Sequence, residues 1–236
     1  MTDEIRNSLD LTLNSSAIEN AADQIQNIGG DLMEVGFDAL LNDGLLKDIP
    51  IVGMMVSVGK IAGSISNFLL TKKIIMFLYQ LKDTSLDERK KFLEELGSEK
   101  RKNILENLML ILEKHDNYQK SELQGKLLSA YIKGEITVYD YDKLTYAVSL
   151  LDSNFLFLLK DFYLSETNIL LTPEQIYNFI FLQLIKIDNS KIGLWGGGGP
   201  EYKKNRLGLI LVEISTDTKL PDEIRKDILG HLNEGY

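Results

Sequence analysis

Residues 49–70, IPIVGMMVSVGKIAGSISNFLL, carry one charge, Lys60, so any fold of this chain must either bury the stretch or give it a bilayer. From residue 51 to residue 70 its length matches the roughly 20 residues needed to span a hydrocarbon core. Lys47 before it and Lys72 and Lys73 after it stand where interface anchors would. Gly59 and Gly63 form a G-x-x-x-G pattern among Ser57, Ala62, Ser64 and Ser66, which permits close helix approach in lipid or in protein. Against spanning stand Lys60 at mid-depth, a cost of roughly 3 kcal/mol, then Pro50 and the polar pair Ser66 and Asn67. The stretch is too polar for a permanent anchor and too apolar for a surface helix. The expectation is a buried or partner-facing helix that contacts its neighbour through Ile51, Val52, Gly53, Val56, Gly59, Lys60, Gly63 and Phe68. Conditional membrane insertion is its second use.

The rest of the chain is ordinary for a globular protein. Of 236 residues, 44% are hydrophobic and 26% charged, so a proper core is within reach. Only 4 prolines stand among many Leu, Ile, Glu and Lys, which favours helix. Cysteine is absent. That excludes disulfides, thiolate nucleophiles and Cys-based metal sites, and it fits a cytoplasmic protein. The leading MTDEIRNSLDLTLN has neither the basic nor the apolar region of a secretory signal, so no leader is expected. The net charge of −9 is uneven: residues 1–44 hold nine acids against Arg6 alone, and the remainder is close to neutral. An acidic segment repels nucleic acid and anionic lipid. It reads first as a solvated helix face and second as a match for a basic partner surface.

Periodicity then orders the chain. Ile18, Ala21, Ile25, Ile28, Leu32, Val35 and Ala39 recur in steps of three and four, an amphipathic helix with a seam of coiled-coil spacing. Its residues Ile18, Ile25, Ile28, Leu32 and Val35 are the expected oligomer seam. Gly29 and Gly30 interrupt it, at roughly 1 kcal/mol each relative to Ala. TKKIIMFLYQL carries the apolar helix on to Leu81, and Ser85 with Glu88 forms a capping box for a helix that Gly97 closes. SEKRKNILENLMLILEKHD and SELQGKLLSAYIKGE are two more helices, the second ending at Gly134, and Thr137 starts another. SNFLFLLKDFYL is apolar on nearly every side and is expected deep in the core. Thr172, Pro173 and Gln175 mark a further helix start. Its aromatics Tyr177, Phe179 and Phe181 read as core or interface.

After that helix the runs 184–187, 192–195 and 201–203 suit a small hairpin or wing, with Trp195, Gly196 and Gly197 at its tip and Tyr202 on its return arm. NRLGLILVEIS and LPDEIRKDILGHL return to helix. The fold class expected is mainly α, a multi-helix bundle with a small C-terminal β-hairpin of winged-helix-like character. The divisions expected are an acidic N-terminal helical segment (1–44), a helical core domain (45–165) and a winged-helix-like C-terminal subdomain (166–236).

Chemical motifs fall away on inspection. The tetraglycine 196–199 is followed by Pro200 and Glu201, not by the G-K-[ST] that reaches phosphates and Mg²⁺. IKGEITVYDYDKL has an EF-hand cadence, but its earlier ligand positions would be Ser129, Tyr131 and Lys133, which cannot hold a hard cation. Asp140, three residues after Thr137, reads as a helix cap. His115 and His231, the only histidines, lack metal spacing; His115 is placed as a cation meeting a helix C-terminus. The helix–wing–helix order suggests DNA binding, yet Lys203, Lys204 and Arg206 are the only local basic cluster, too small for that electrostatic footprint. No catalytic residue, metal or cofactor is expected, and nucleic acid is disfavoured. A protein partner or self-association is expected, with the membrane a conditional one.

The glycine-rich apolar helix, then ELQGKLLSAYIKGEITVYDYDKL, then IYNFIFLQLIKI with a wing and NRLGLILVEI, resembles bacterial helical proteins of the Abi-alpha group, associated with phage abortive infection. The likeness covers about residues 45–215. Tyr202 and Gly208 match the group's ending, whereas Asn205 and Arg206 stand where a Leu-Thr pair is usual. The resemblance implies a non-enzymatic antiviral defence or toxin-type effector that shelters its apolar helix and releases it onto membrane or partner. It transfers no catalytic residue. The alternative is a helical interaction or adaptor protein that oligomerises and keeps that helix as permanent core.

Overall fold

The computed structural model describes residues 2–27, 46–57, 65–165, 171–188 and 200–230, which form eleven helices and one antiparallel strand pair. The protein is mainly α, with a single small hairpin. Contacts divide the chain into two compact units, Met1–Ile136 and Thr137–Tyr236. The sequence places divisions after 44 and after 165 instead.

The first unit holds α1 (Thr2–Leu13), α2 (Ala17–Asn27), α3 (Pro50–Ser57), α4 (Ile65–Tyr79), α5 (Leu86–Lys114) and α6 (Tyr118–Ile132). Its densest pairing is α4 on α6. Towards the end of α4 the side chains of Ile74, Ile75, Met76, Phe77 and Leu78 are all buried, so this part of the helix is enclosed on most of its circumference. Close approach is possible because α6 presents Gly125: a Cβ there would lie 2.3 Å from the Phe77 carbonyl oxygen and 2.8 Å from Gln80 Cβ. The expected capping box is present, with Ser85 Oγ accepting the Glu88 amide at 3.2 Å and Glu88 accepting the Ser85 amide at 2.7 Å. Gly97 lies inside the span of α5 with φ 70° and ψ 165°, a non-helical break. The stop read from the sequence is thus a kink, after which the chain turns at once into helix again.

The second unit holds α7 (Val138–Leu150), α8 (Ser153–Leu164), α9 (Pro173–Phe181), β1 (Ile185–Asp188), β2 (Glu201–Lys204), α10 (Arg206–Thr216) and α11 (Asp222–Gly230). β1 and β2 pair in the register Ile185 with Lys204 through Asp188 with Glu201. The Thr172–Pro173–Gln175 helix start is present, with Thr172 Oγ1 accepting the Gln175 amide and Gln175 returning the bond. One expectation is overturned here. Helix α8, SNFLFLLKDFYL, buries only Leu159 and Tyr163, and Phe157 is 66% exposed. It packs one face on α10 and touches α9 through an edge-on ring contact of Phe155 with Phe179 at 6.1 Å. Apolar residues all round a helix require burial only if a second layer exists to cover them, and periodicity cannot reveal that layer.

Tyr163 is the pin of this unit. Fully buried, its hydroxyl donates to the Leu184 carbonyl at 2.7 Å and accepts the Asn205 amide at 2.8 Å. Burial pushes the phenol well above its ordinary pKa. Asn205 caps α10 by accepting the Gly208 amide at 3.0 Å, and its Nδ2 donates to the Gln183 carbonyl at 2.8 Å. A Cβ on Gly208 would sit 2.1 Å from the Leu184 carbonyl oxygen and 2.2 Å from Tyr163 Oη.

Neither glycine can accept a side chain without backbone movement. Gly125→Ala and Gly208→Ala are each expected to destabilise the protein by about 1–3 kcal/mol, read as a lower urea midpoint at unchanged slope. A neutral result at either position would show that the close approach is relaxed in solution.

Candidate functional site

The strongest candidate is the start of the apolar stretch and the cover over it. Helix α1 lies on α3 and on α5. Its Leu9 and Leu13 are buried, as are Ile51, Val52 and Met55 of α3. Thr12, fully buried, donates from Oγ1 to the Ser8 carbonyl at 2.7 Å and accepts the Ile51 amide at 3.1 Å. That bond satisfies an orphan N–H of the first turn of α3, which otherwise would be buried unpaired. One hydroxyl therefore fixes the two helices to each other.

Charged contacts hold α1 from its other side. Asp10 takes both Nε and Nη2 of Arg101 at 2.5 Å each, and Arg6 donates to Glu106 at 2.6 Å. Where α1 turns into α2, the fully buried guanidinium of Arg89 binds the Leu13 carbonyl (3.1 Å), the Ser15 carbonyl (2.9 Å), the Thr84 carbonyl (2.5 Å) and both oxygens of Glu19 (2.9 and 2.8 Å). The planar fork of arginine suits this work, since five rigid donors meet a carboxylate and helix-end carbonyls together. The acids of the N-terminal segment are thus not merely solvated. Asp10 and Glu19 are ion-paired to α5, a partnership that no local pattern announces.

The residues expected to act in the apolar helix separate accordingly. Ile51 and Val52 are buried, while Gly53, Val56 and Phe68 are half-buried. A Cβ on Gly53 would lie 2.4 Å from the Lys47 carbonyl oxygen, so this glycine serves the turn entering α3. Gly59, Lys60 and Gly63 lie outside the described residues. Among the described residues no helix is long and apolar enough to cross a membrane. Of the expected oligomer seam, Ile18 is 2% exposed and packs into its own unit, a correction at that position. Its helix meets α4 and α1, whose apolar side chains take the place assigned to a partner. Ile28, Leu32 and Val35 fall outside the described residues, as does the side chain of Ile25. In the wing, Tyr202 is half-buried on β2, and Trp195, Gly196 and Gly197 are outside the described residues.

One polar site, His115, differs from its sequence reading, and a second, Asp140, adds to it. His115 is not a cation at a helix end. It is 4% exposed, with Nδ1 2.9 Å from Ser121 Oγ, while Lys73 Nζ donates to its carbonyl at 2.5 Å. Burial, reinforced by the nearby Lys120 and Lys73 and opposed by Asp116, lowers its pKa to about 4, so the ring is neutral at pH 7. The ammonium of Lys73 meets the carbonyl end of α5 in its place. Asp140 is indeed a cap, bonded to the Thr137 amide at 3.1 Å and hydroxyl at 2.7 Å. It is also fully buried and gripped by both terminal nitrogens of Arg206. Burial opposes its charge, yet the bonds from Arg206 and Thr137 outweigh that and hold the carboxyl below its ordinary range. With Lys203 paired to Asp188 and Lys204 reaching the Ser165 carbonyl at 3.4 Å, the small basic cluster is engaged within its own unit.

No protein-family model matches the chain, and neither a curated protein nor a solved structure is similar to it. Among the described residues no group of three His, Asp or Glu side chains is placed to hold a metal ion.

Removing Arg89 leaves two buried carbonyls, a part-buried one and a carboxylate without their donor. Arg89→Ala is expected to cost about 3–5 kcal/mol and Glu19→Gln about 1–3 kcal/mol in urea unfolding. His115 gives a pH signature. Its folded pKa, about 4, lies below the ordinary 6.5, so the unfolded chain binds the extra proton between those values. Its contribution is complete above pH 6.5 and is lost as pH falls toward 4, by up to about 3 kcal/mol. His115→Asn should flatten that part of the stability profile; an unchanged slope would exclude the histidine as its source.

Proposed function

We propose that this chain is a non-enzymatic effector of the bacterial defence or toxin type. Its apolar helix is held under the N-terminal helix pair and is released to act on a membrane or a partner. The observation that carries this reading is the construction of the cover. α1 shields the buried face of α3 through one side-chain hydrogen bond and is tied down by the part-buried Asp10–Arg101 and Arg6–Glu106 pairs, whose side chains are 17–32% exposed. Part-buried ion pairs of this kind keep some access to solvent and so respond, though less than exposed ones, to salt. The resemblance to the Abi-alpha group supports the same reading, and so does the marginal polarity of the stretch, which suits a helix that changes surroundings.

A second reading, an interaction or adaptor protein with that helix as permanent core, is favoured by exposed apolar side chains of the second unit such as Phe157, Tyr177 (73%) and Phe181 (67%). Patches of this kind mark association surfaces when they are contiguous.

The readings part in one experiment. Asp10→Arg sets two guanidiniums against each other and weakens the cover by about 1.4 kcal/mol, roughly a tenfold shift in any closed–open equilibrium. The variant should float with, and leak dye from, phosphatidylethanolamine–phosphatidylglycerol vesicles more than the natural chain. The swap Asp10→Arg with Arg101→Asp should return it to the natural level. If the folded variant ignores vesicles, membrane action fails and the adaptor reading stands.

A further inference from the structure

Helix α7 is apolar on two faces. One faces its own unit with Tyr141, Leu144, Ala147 and Val148, all buried. The other is a stripe of Tyr139 (57% exposed), Lys143, Tyr146 (53%) and Leu150 (48%). These four fall at i, i+4, i+7 and i+11, within about 60° of one another around the helix at 100° per residue. Single exposed apolar residues are normal on a protein surface; three in one register at coiled-coil spacing, with the half-buried Lys143 among them, form a face suited to an occupant. Ile18, the one seam residue whose side chain is described, is buried.

We infer that this stripe pairs with the same stripe of a second copy of the chain, the two α7 helices running antiparallel. The pattern itself names the occupant. In an antiparallel pair turned about a point midway between residues 144 and 145, Tyr139 faces the partner's Leu150 and Lys143 faces the partner's Tyr146. Both layers then match. An aromatic ring meets an aliphatic side chain at each end, and an ammonium meets a phenol face in the middle, twice. Lys143 already favours such a face, lying 5.7 Å from the Tyr139 ring centroid within one chain. A parallel pair would instead set Lys143 against the partner's Lys143, which repels. Self-complementarity of one patch is the requirement of a two-fold interface. The stripe is about 16 Å long and buries less than the roughly 800 Å² per partner of a standard interface. The association is accordingly expected to depend on concentration.

This inference is independent of membrane action, and its test uses the full chain. Sedimentation velocity from about 5 to 500 μM should show a monomer–dimer shift that Tyr146→Asp abolishes at unchanged helical circular dichroism. The absence of cysteine allows a direct test of geometry. A chain carrying Tyr139→Cys is mixed with one carrying Leu150→Cys and treated with a short bis-maleimide. Linkage between unlike chains is expected, because in the antiparallel pair like positions stand about 16 Å apart. A natural chain that stays monomeric throughout, a Tyr146→Asp variant that dimerises as well as its parent, or linkage mainly between like chains would each overturn the proposal. Should Tyr146→Asp fail to fold, the cross-linking arm decides alone.

Discussion

A guanidinium cut off from water must have its N–H groups met by protein, and in the first unit that demand falls on Arg89. Burying such a charge unpaired would cost several kcal/mol, so its surroundings are dictated: the carbonyls closing α1, the turn into α2, the Thr84 carbonyl and the Glu19 carboxylate converge on one side chain. The path of the chain between α1 and α2 follows from this. So does the seating of α1 over α3, because a helix whose last carbonyls are held in place can swing only about that end.

The second unit uses the same economy with different chemistry. Tyr163 supplies one hydroxyl to the backbone on either side of the hairpin, and Asp140 joins the start of α7 to the start of α10 through Arg206. In each case a polar group buried at a junction binds backbone or charge from a distant part of the chain. Loops that would otherwise wander are thereby referenced to helices.

Local signals in the sequence were legible wherever the physics was local. The boxes at Ser85, Thr137 and Thr172 depend on residues three apart, and each is present. The hairpin was legible from its apolar runs, although the strand that pairs with Ile185–Asp188 is Glu201–Lys204. What escaped is what depends on distant neighbours. Asp140 reads as a cap from its spacing to Thr137, but its ion pair is 66 residues away. His115 looks like a helix-end cation until Ser121 and Lys73 are seen around it. Helix α8 has the composition of a core helix without the layer to cover it. The acids of α1 and α2 gave no hint of Arg101 and Arg89, since charge pairing across 70 or more residues leaves no mark on spacing.

The break at Gly97 acquires a purpose when α5 is treated as a ruler. Arg89 and Arg101 would stand about 18 Å apart along a straight helix, whereas their targets Leu13 and Asp10 are separated by about 4.5 Å along α1. Two rods with such unequal graduations cannot be matched mark for mark. A positive φ at residue 97 removes the mismatch by letting the front of α5 leave the line of its rear. The absence of a side chain at one position thus sets the scale on which two helices of different lengths are brought into register.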